Sequence, residues 1–279
     1  MWKFNVQTVD YSIIEAKQTD VVPFPYLRTD KGDKTIQQIS PIHGRSFIVG
    51  RTKDGRYVVS KGNGLGYTQH SFLYTPEMPT DVWGLLLEED ALRDFHCGQD
   101  IQALGIKTNQ MEYVLKLDYP IHISQTGTNT MPFLLQYDVE CPYRIADAPF
   151  IEHRLIELEV SKWEKLNDEC FDKDHLIAAN VLIRNLKTMH DNHVLHNALT
   201  VENITWALEL LDFELCRTQN HPYTQADYER HVCNLYDREV IQTYQIIIYI
   251  AGCLIEPVDF KQLDDLFLKY GFDLKKYKL

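Results

Sequence analysis

The stretch at residues 193–215 reads HVLHNALTVENITWALELLDFEL and contains two short apolar runs that end in polar residues. Residues 210–213 (LLDF) are typical of a buried strand that ends in the carboxylate of Asp212. Residues 201–204 (VENI) are typical of a loop around Asn203 that closes on a second short strand. Such a strand pair can hold an amide oxygen and a carboxylate close together, which suits Mg²⁺. The alternative is two core strands with incidental polar ends, because Asn and Asp are common where strands stop.

The composition is that of an acidic protein with enough apolar residues for a large core. The 279 residues are 44% hydrophobic and carry a formal net charge of −12. The length suggests one large domain or two lobes, and the negative charge argues against binding to nucleic acid. Six cysteines are scattered without a C-x-x-C pair, which indicates a reduced, cytoplasmic protein rather than a disulfide framework or a zinc module.

The sequence shows no pattern typical of export or of membrane insertion. The N-terminus, MWKFNVQTVD, lacks the apolar region of a secretory signal. The longest apolar run, IIIYIAGCLI at residues 246–255, is about half of what a membrane span requires. We therefore expect a buried helix there and no membrane association.

A β-hairpin is the clearest element of the N-terminal half. Residues 46–51 (SFIVGR) and 56–61 (RYVVSK) have strand composition, and the Asp54-Gly55 pair between them predicts a tight turn. Residues 1–45 show little periodicity and are interrupted by prolines. We expect them to wrap the first sheet or to add an edge strand.

A lysine and a glycine-rich segment follow this hairpin directly. Lys61 ends the second strand, and the sequence continues as GNGLG. Gly62 and Gly64 let the backbone approach a ligand closely and can present N–H groups to a phosphate. The alternative is a flexible surface loop, but the strand-end lysine favours phosphate binding.

The rest of the N-terminal half combines one helix with two strands. A helix is predicted over residues 81–104, with Asp81 as its N-cap and Gly105 at its C-terminal end. Strands are predicted at residues 111–117 and 132–139.

Residues 140–150 (ECPYRIADAPF) are the best domain boundary, because two prolines interrupt them and strand patterns then give way to helices. We therefore divide the chain into residues 1–139 and 140–279. Helices are predicted at residues 150–166, 174–191 (capped by Asp174), 225–256 and 259–270.

The order of these elements resembles the protein-kinase-like fold, an α+β fold of two lobes. The N-lobe would be β-rich with one main helix (residues 1–139), and the C-lobe would be α-rich (residues 140–279). Within this fold the chain most resembles the selenoprotein O family, pseudokinase-like enzymes that transfer AMP from ATP to protein hydroxyls. Short motifs carry the resemblance from about residue 57 to residue 253.

Two N-terminal motifs of that family have counterparts here. YVVSKGNG at residues 57–64 resembles the family's Lys-Gly-x-Gly, which implies that Lys61 contacts phosphate. RDFHCGQDIQALGIKT at residues 93–108 resembles its Arg-Glu-Phe helix, which implies that Asp94 pairs with that lysine. Glu88 and Glu89 compete for this role, since most helix carboxylates simply face water.

Two further motifs lie in the C-terminal half. LLQYDVECPYRIAD resembles the family's segment after the hinge, which implies that Arg144 contacts phosphate. HNALTVENITWALELLDFE resembles its Asp-Asn and Asp-Tyr-Gly motifs, which implies that Asn203 and Asp212 bind the metal ion and that His196 positions the loop. The usual kinase aspartate is replaced by Ala198, as in this family, and Glu202 stands where the family has Asp and can act as a base.

Three departures from the family pattern keep other functions open. Glu214 replaces the glycine after Asp-Phe, an arginine downstream of Lys-Gly-x-Gly is missing, and the C-terminal KKYKL lacks the redox-active residue. The resemblance implies an ATP-dependent protein adenylyltransferase that uses Mg²⁺ or Mn²⁺ and a protein substrate. The alternatives are a kinase that uses the γ-phosphate and an inactive nucleotide-binding pseudokinase scaffold.

Overall fold

The N-terminal half of the chain consists mainly of strands with one α-helix, and the C-terminal half consists mainly of helices. The computed structural model describes residues 2–17, 19–28, 32, 34–38, 45–64, 84–123, 127–222 and 235–277. The strands are β1 Trp2–Thr8, β2 Tyr11–Ala16, β3 Tyr26–Arg28, β4 Lys34–Gln38, β5 Ser46–Arg51, β6 Tyr57–Lys61, β7 Gln110–Leu117, β8 Ile121–Ile123, β9 Thr128–Thr130 and β10 Phe133–Val139. The α-helices are α1 Glu88–Ala103, α2 His153–Val160, α3 Asp174–Asp191, α4 Leu235–Leu254 and α5 Phe260–Lys269. The predicted α+β class is confirmed.

The chain divides into two compact units. The first unit comprises Met1–Gln99 and Asn109–Tyr143, and the second comprises Asp100–Thr108 and Arg144–Leu279. Among the described residues, no helix has the length and apolar character needed to cross a bilayer. The described cysteines all carry free thiols, and Cys233 lies outside the described residues.

An eight-stranded antiparallel sheet forms the first unit, with the strand order β2-β7-β10-β6-β5-β4-β1-β3. The predicted strands at residues 46–51, 56–61, 111–117 and 132–139 agree with β5, β6, β7 and β10 to within about one residue. Residues 1–45 supply four strands rather than a single edge strand. Their pairing is partly with distant strands, so local periodicity does not show it.

The core of the first unit lies on both faces of β7. One buried cluster combines Val21, Leu27, Val58, Tyr113, Leu115, Leu117 and Leu134. Tyr113, Leu115 and Leu117 are alternate residues of β7 and therefore share one face, whereas the intervening Val114 is buried on the other. Because both faces of this strand are covered, apolar residues in β7 do not simply alternate with polar ones, and the same is true of its neighbour β10.

Helix α1 begins later than the sequence predicts. The expected start, Asp81, lies outside the described residues, and Gly84–Leu87 is not helical. Leu86 instead pairs with Phe133 at the start of β10, where its backbone oxygen accepts from the Phe133 N–H at 2.9 Å. Pairing with the sheet therefore takes the place of the first predicted turns. The predicted end at Gly105 is confirmed by a left-handed φ of +79°.

Helix α3 forms the centre of the second unit and packs against α4 and α5. Its bounds match the prediction of residues 174–191. The helices predicted at residues 225–256 and 259–270 appear as α4 and α5. The part of the first of these predictions that precedes residue 235 lies outside the described residues. The predicted helix over residues 150–166 is broken into α2 and a 3₁₀ turn at Trp163–Leu166. The buried Trp163 indole donates to the backbone oxygen of Trp206 at 2.8 Å, which draws the chain away from a continuous helix.

The cap of α3 comes from a distant residue, and the prediction that Asp174 is the N-cap was wrong. Lys173 occupies the N-cap position without a side-chain cap. The Glu256 carboxylate accepts from the backbone N–H groups of Asp174 at 3.1 Å and His175 at 3.0 Å. Ile255, just before this glutamate, has a left-handed φ of +58°. A carboxylate at a helix N-terminus satisfies amides that have no partner within the helix.

Candidate functional site

A buried ion pair joins the strand-end lysine to helix α1 in the first unit. Lys61 Nζ donates to Asp94 Oδ2 at 2.6 Å, and the two side chains are 2% and 1% exposed. Lys61 lies at the end of β6, and Asp94 lies on the buried side of α1 beside Phe95. Burying a lysine this deeply is costly unless a carboxylate neutralises it. The structure thus pairs Lys61 with Asp94 rather than with Glu88 or Glu89.

The two described glycines after Lys61 serve the local backbone. Gly62 has φ +96°, and a Cβ there would lie 2.6 Å from the backbone oxygen of Phe133, so only glycine fits. The Gly62 N–H donates to Arg45 O at 2.9 Å, and the Gly64 N–H donates to Gly84 O at 3.1 Å. Both amides that we expected to face a phosphate are therefore engaged within the unit. Gly66, the third glycine of the run, lies outside the described residues.

The 193–215 stretch of the second unit brings the loop of Asn203 beside the segment before Asp212. Instead of two regular strands, it forms a 3₁₀ turn at Val201–Asn203 and an isolated bridge between Ile204 and Leu210. The Leu211 N–H donates to Asn203 O at 2.9 Å. The predicted strand pair is thus reduced to a single bridge, which still places the two segments side by side.

Left-handed backbone is concentrated in this stretch. Four residues other than glycine have positive φ here: His193 (56°), Asn197 (64°), Leu208 (58°) and Asp212 (66°). Such conformations are costly for a side chain that carries a Cβ, and they persist only where the surrounding contacts hold them. Backbone strain of this kind is common at functional sites.

His196 ties the loop to the segment before Asp212. Its ring is completely buried, Nε2 bonds to Leu211 O at 2.9 Å, and Nδ1 faces the Ala198 N–H at 3.3 Å. Burial lowers the pKa of this histidine, so the neutral ring donates from Nε2 and accepts at Nδ1. Both ring nitrogens are engaged with the backbone. The ring therefore joins two backbone segments of this stretch.

The Asn203 side chain is held at both ends of its amide. Its Nδ2 donates to Ala198 O at 2.8 Å, and its Oδ1 accepts from Arg144 Nη1 at 3.4 Å. The same Arg144 nitrogen donates to the backbone oxygen of Glu202 at 2.8 Å, while the Glu202 side chain is exposed. Arg144, expected to contact phosphate, thus contacts the Asn203 loop in this structure.

A buried glutamate that the sequence did not single out supports the same loop. Glu239 on α4 accepts from the Asn197 N–H at 2.7 Å and lies 3.0 Å from His190 Nε2. Asn197 Nδ2 in turn donates to Leu215 O at 2.9 Å, three residues after Asp212. A carboxylate near the start of an apolar helix is the only sequence signal for Glu239, and it does not distinguish a buried residue from an exposed one.

The donor set of this loop suits a hard divalent cation. Asn203 offers an amide oxygen and Asp212 a carboxylate, and Mg²⁺ in proteins usually takes one or two such ligands together with water and phosphate oxygens. Mn²⁺ accepts the same oxygen ligands. The residues present therefore fit a Mg²⁺ or Mn²⁺ ion.

Comparisons with known proteins do not show a family for this chain. No family model matches the chain, and no curated protein matches it. Among solved structures 72 chains match, including a rhoptry antigen kinase domain of Toxoplasma gondii with 10% identity, a TM-score of 0.41, and coverage of 88% of this chain and 77% of that chain. A likeness this weak carries no argument about function. The order of elements agrees with the expected one: the first unit has an antiparallel sheet with a strand-end lysine and a helix that pairs with it, and the second unit is helical and contains the Asn203 loop and the Asp212-Phe213 pair.

Proposed function

We propose that the chain binds ATP with Mg²⁺ or Mn²⁺ and transfers AMP from it to a hydroxyl group of a protein, with pyrophosphate as the leaving group. The observation that carries the proposal is the buried Lys61–Asp94 pair, in a chain that also has Asn203 and Asp212. A buried ion pair contributes little net stability compared with apolar residues of similar volume, so its presence favours a role in ligand binding. The free cysteines fit a reducing compartment, and the proposal places the protein in the cytoplasm.

Each residue named in the proposal has one task. Lys61, oriented by Asp94, would neutralise phosphate charge, and Asn203 and Asp212 would hold the divalent ion. The ion, when bound, supplies positive charge to the phosphate oxygens where negative charge develops. His196 keeps the Asn203 loop in register with the backbone before Asp212.

Transfer of AMP is preferred over transfer of phosphate because of the residues at positions 198 and 202. Ala198 cannot act as a base, whereas the exposed Glu202 carboxylate can accept a proton from an incoming hydroxyl. The same replacement of the kinase aspartate accompanies AMP transfer in the selenoprotein O family, which this chain resembles.

A second candidate function is a nucleotide-binding pseudokinase without catalytic activity. Arg144 occupies the amide oxygen of Asn203, which is one of the proposed metal ligands. Glu214 adds a carboxylate directly after the Asp-Phe pair. Both features weaken the case for turnover while leaving nucleotide binding possible.

Label transfer distinguishes these functions. The protein is incubated with candidate protein substrates, Mg²⁺ or Mn²⁺, and ATP labelled at either the α- or the γ-phosphate, with Asp212→Ala as the control. We expect protein-bound α-label that is absent with the Asp212→Ala variant. Transfer of γ-label alone would identify a kinase. Transfer of neither label, with ATP still bound, would favour the pseudokinase.

A further inference from the structure

Arg144 is fixed beside the Asn203 loop by its own backbone. The Arg144 N–H donates to Oδ2 of the buried Asp147 at 2.7 Å, and the next residue, Ile145, donates its N–H to Ile204 O at 2.8 Å. Arg144 also forms a backbone bridge with Thr205. The base of this side chain is therefore anchored on both sides, and its guanidinium reaches the loop from a defined position.

The guanidinium makes two contacts with acceptors on that loop. Arg144 Nη1 is 2.8 Å from the backbone oxygen of Glu202 and 3.4 Å from Oδ1 of Asn203. The first contact is short and holds the guanidinium in place. The second places a permanent positive charge beside the amide oxygen of Asn203. The Asn203 Nδ2 is bonded to Ala198 O at 2.8 Å, so the amide keeps its oxygen directed toward the arginine.

We propose that Arg144 competes with the divalent ion for the side-chain oxygen of Asn203. This inference rests on the proposed function, in which Asn203 and Asp212 hold that ion. A metal ion and a guanidinium close to one amide oxygen repel each other, so the guanidinium lowers the affinity of that oxygen for metal. Metal therefore binds Asn203 more tightly once Arg144 has left it. A nucleotide phosphate, which binds arginine well, would draw the guanidinium away and open the metal ligand.

Direct titration with Mn²⁺ tests this competition in the full chain without nucleotide. Free Mn²⁺ is followed by electron paramagnetic resonance for the wild type, Arg144→Ala, Arg144→Lys and Arg144→Met. We expect about tenfold tighter Mn²⁺ binding in Arg144→Ala and Arg144→Met, which corresponds to loss of one charge-assisted hydrogen bond and its charge. Arg144→Lys keeps a cation and should change the affinity less.

Two controls keep the result specific. Arg154→Ala removes an arginine that is 77% exposed and paired with Glu152, and it should leave the Mn²⁺ affinity unchanged. Asp212→Ala should abolish the site, and circular dichroism confirms that each variant is folded. Arg144→Met retains most of the apolar stem, so it keeps the test valid if Arg144→Ala does not fold.

The outcomes separate the inference from the proposed function. If the wild type binds Mn²⁺ through Asp212 but the Arg144 variants bind it equally or more weakly, the competition is refuted and the metal site stands. If no variant shows binding that depends on Asp212, the metal site itself is refuted and the competition with it.

Discussion

The buried Lys61–Asp94 pair yields the sharpest prediction about stability. At the observed 2.6 Å, two unit charges attract by roughly 6 kcal/mol in an effective dielectric of about 20. Most of this attraction offsets the cost of removing both charges from water. Asp94→Asn keeps the shape but removes the negative charge to which the buried Lys61 ammonium donates, and we expect it to lower the free energy of unfolding by about 3–5 kcal/mol. Replacing both residues, with Lys61→Met and Asp94→Leu together, should change it by about 1 kcal/mol or less, or increase it.

Urea unfolding, followed by circular dichroism and tryptophan fluorescence, measures these differences. The surface pair Lys187–Asp191, with side chains that are 40% and 56% exposed, provides the control. Asp191→Asn should cost about 0.5 kcal/mol or less. If Asp94→Asn costs no more than this control, or if the double replacement is as unstable as the single one, the pair does not act as a buried and mutually neutralising unit. Separately, calorimetric titration with ATP, comparing the folded double variant with the wild type, tests whether the pair serves nucleotide binding.

Three further predictions concern single residues. Gly62→Ala should lower the free energy of unfolding in urea by about 2 kcal/mol more than Gly55→Ala does, since both glycines have positive φ but only Gly62 lies against a backbone oxygen. Equal losses of stability in the two variants would contradict the steric argument. Burial, together with the neighbouring Asp138, raises the pKa of Glu112 to about 7 from its usual 4.5. The protonated Glu112 side chain therefore stabilises the fold fully below pH 4.5, and this contribution is lost as the pH rises through 7. Glu112→Gln should make the melting temperature less dependent on pH between 4.5 and 7, and a pH profile equal to that of the wild type would refute the shift. Ile255→Gly should raise the free energy of unfolding by about 0.5–1 kcal/mol, because a left-handed φ is costly for a β-branched residue and a side chain that is 86% exposed loses little packing when it is removed. A lower melting temperature of the variant would contradict this.

Local patterns in the sequence were sufficient for elements whose contacts are local. The hairpin at residues 46–61 has a recognisable turn, and α3 has continuous helical patterning, and both were predicted with nearly correct bounds. The sequence does not show the strands within residues 1–45, because β2 pairs with the distant strand β7 and β1 pairs with β3 and β4 across intervening segments rather than through tight turns. The late start of α1 has the same cause, since Leu86 pairs with a strand that begins at residue 133.

The candidate site was predictable in its residue types and less so in their contacts. The resemblance singled out Lys61 and Asp94, and the structure joins them. It could not show that the Gly62 amide is already bonded, or that Arg144 binds the loop of Asn203. Those contacts depend on how segments far apart in the chain pack together, which residue spacing does not encode.

The cap on α3 has a consequence for the order of folding. The carboxylate that satisfies the first amides of this helix belongs to Glu256, 81 and 82 residues further along the chain. During synthesis, most of α3 can form as soon as it emerges, because its hydrogen bonds are local. Its first turn gains its cap only after α4 is complete and a long loop has closed, which carries an entropic cost. The start of the central helix should therefore be among the last parts of the second unit to become rigid.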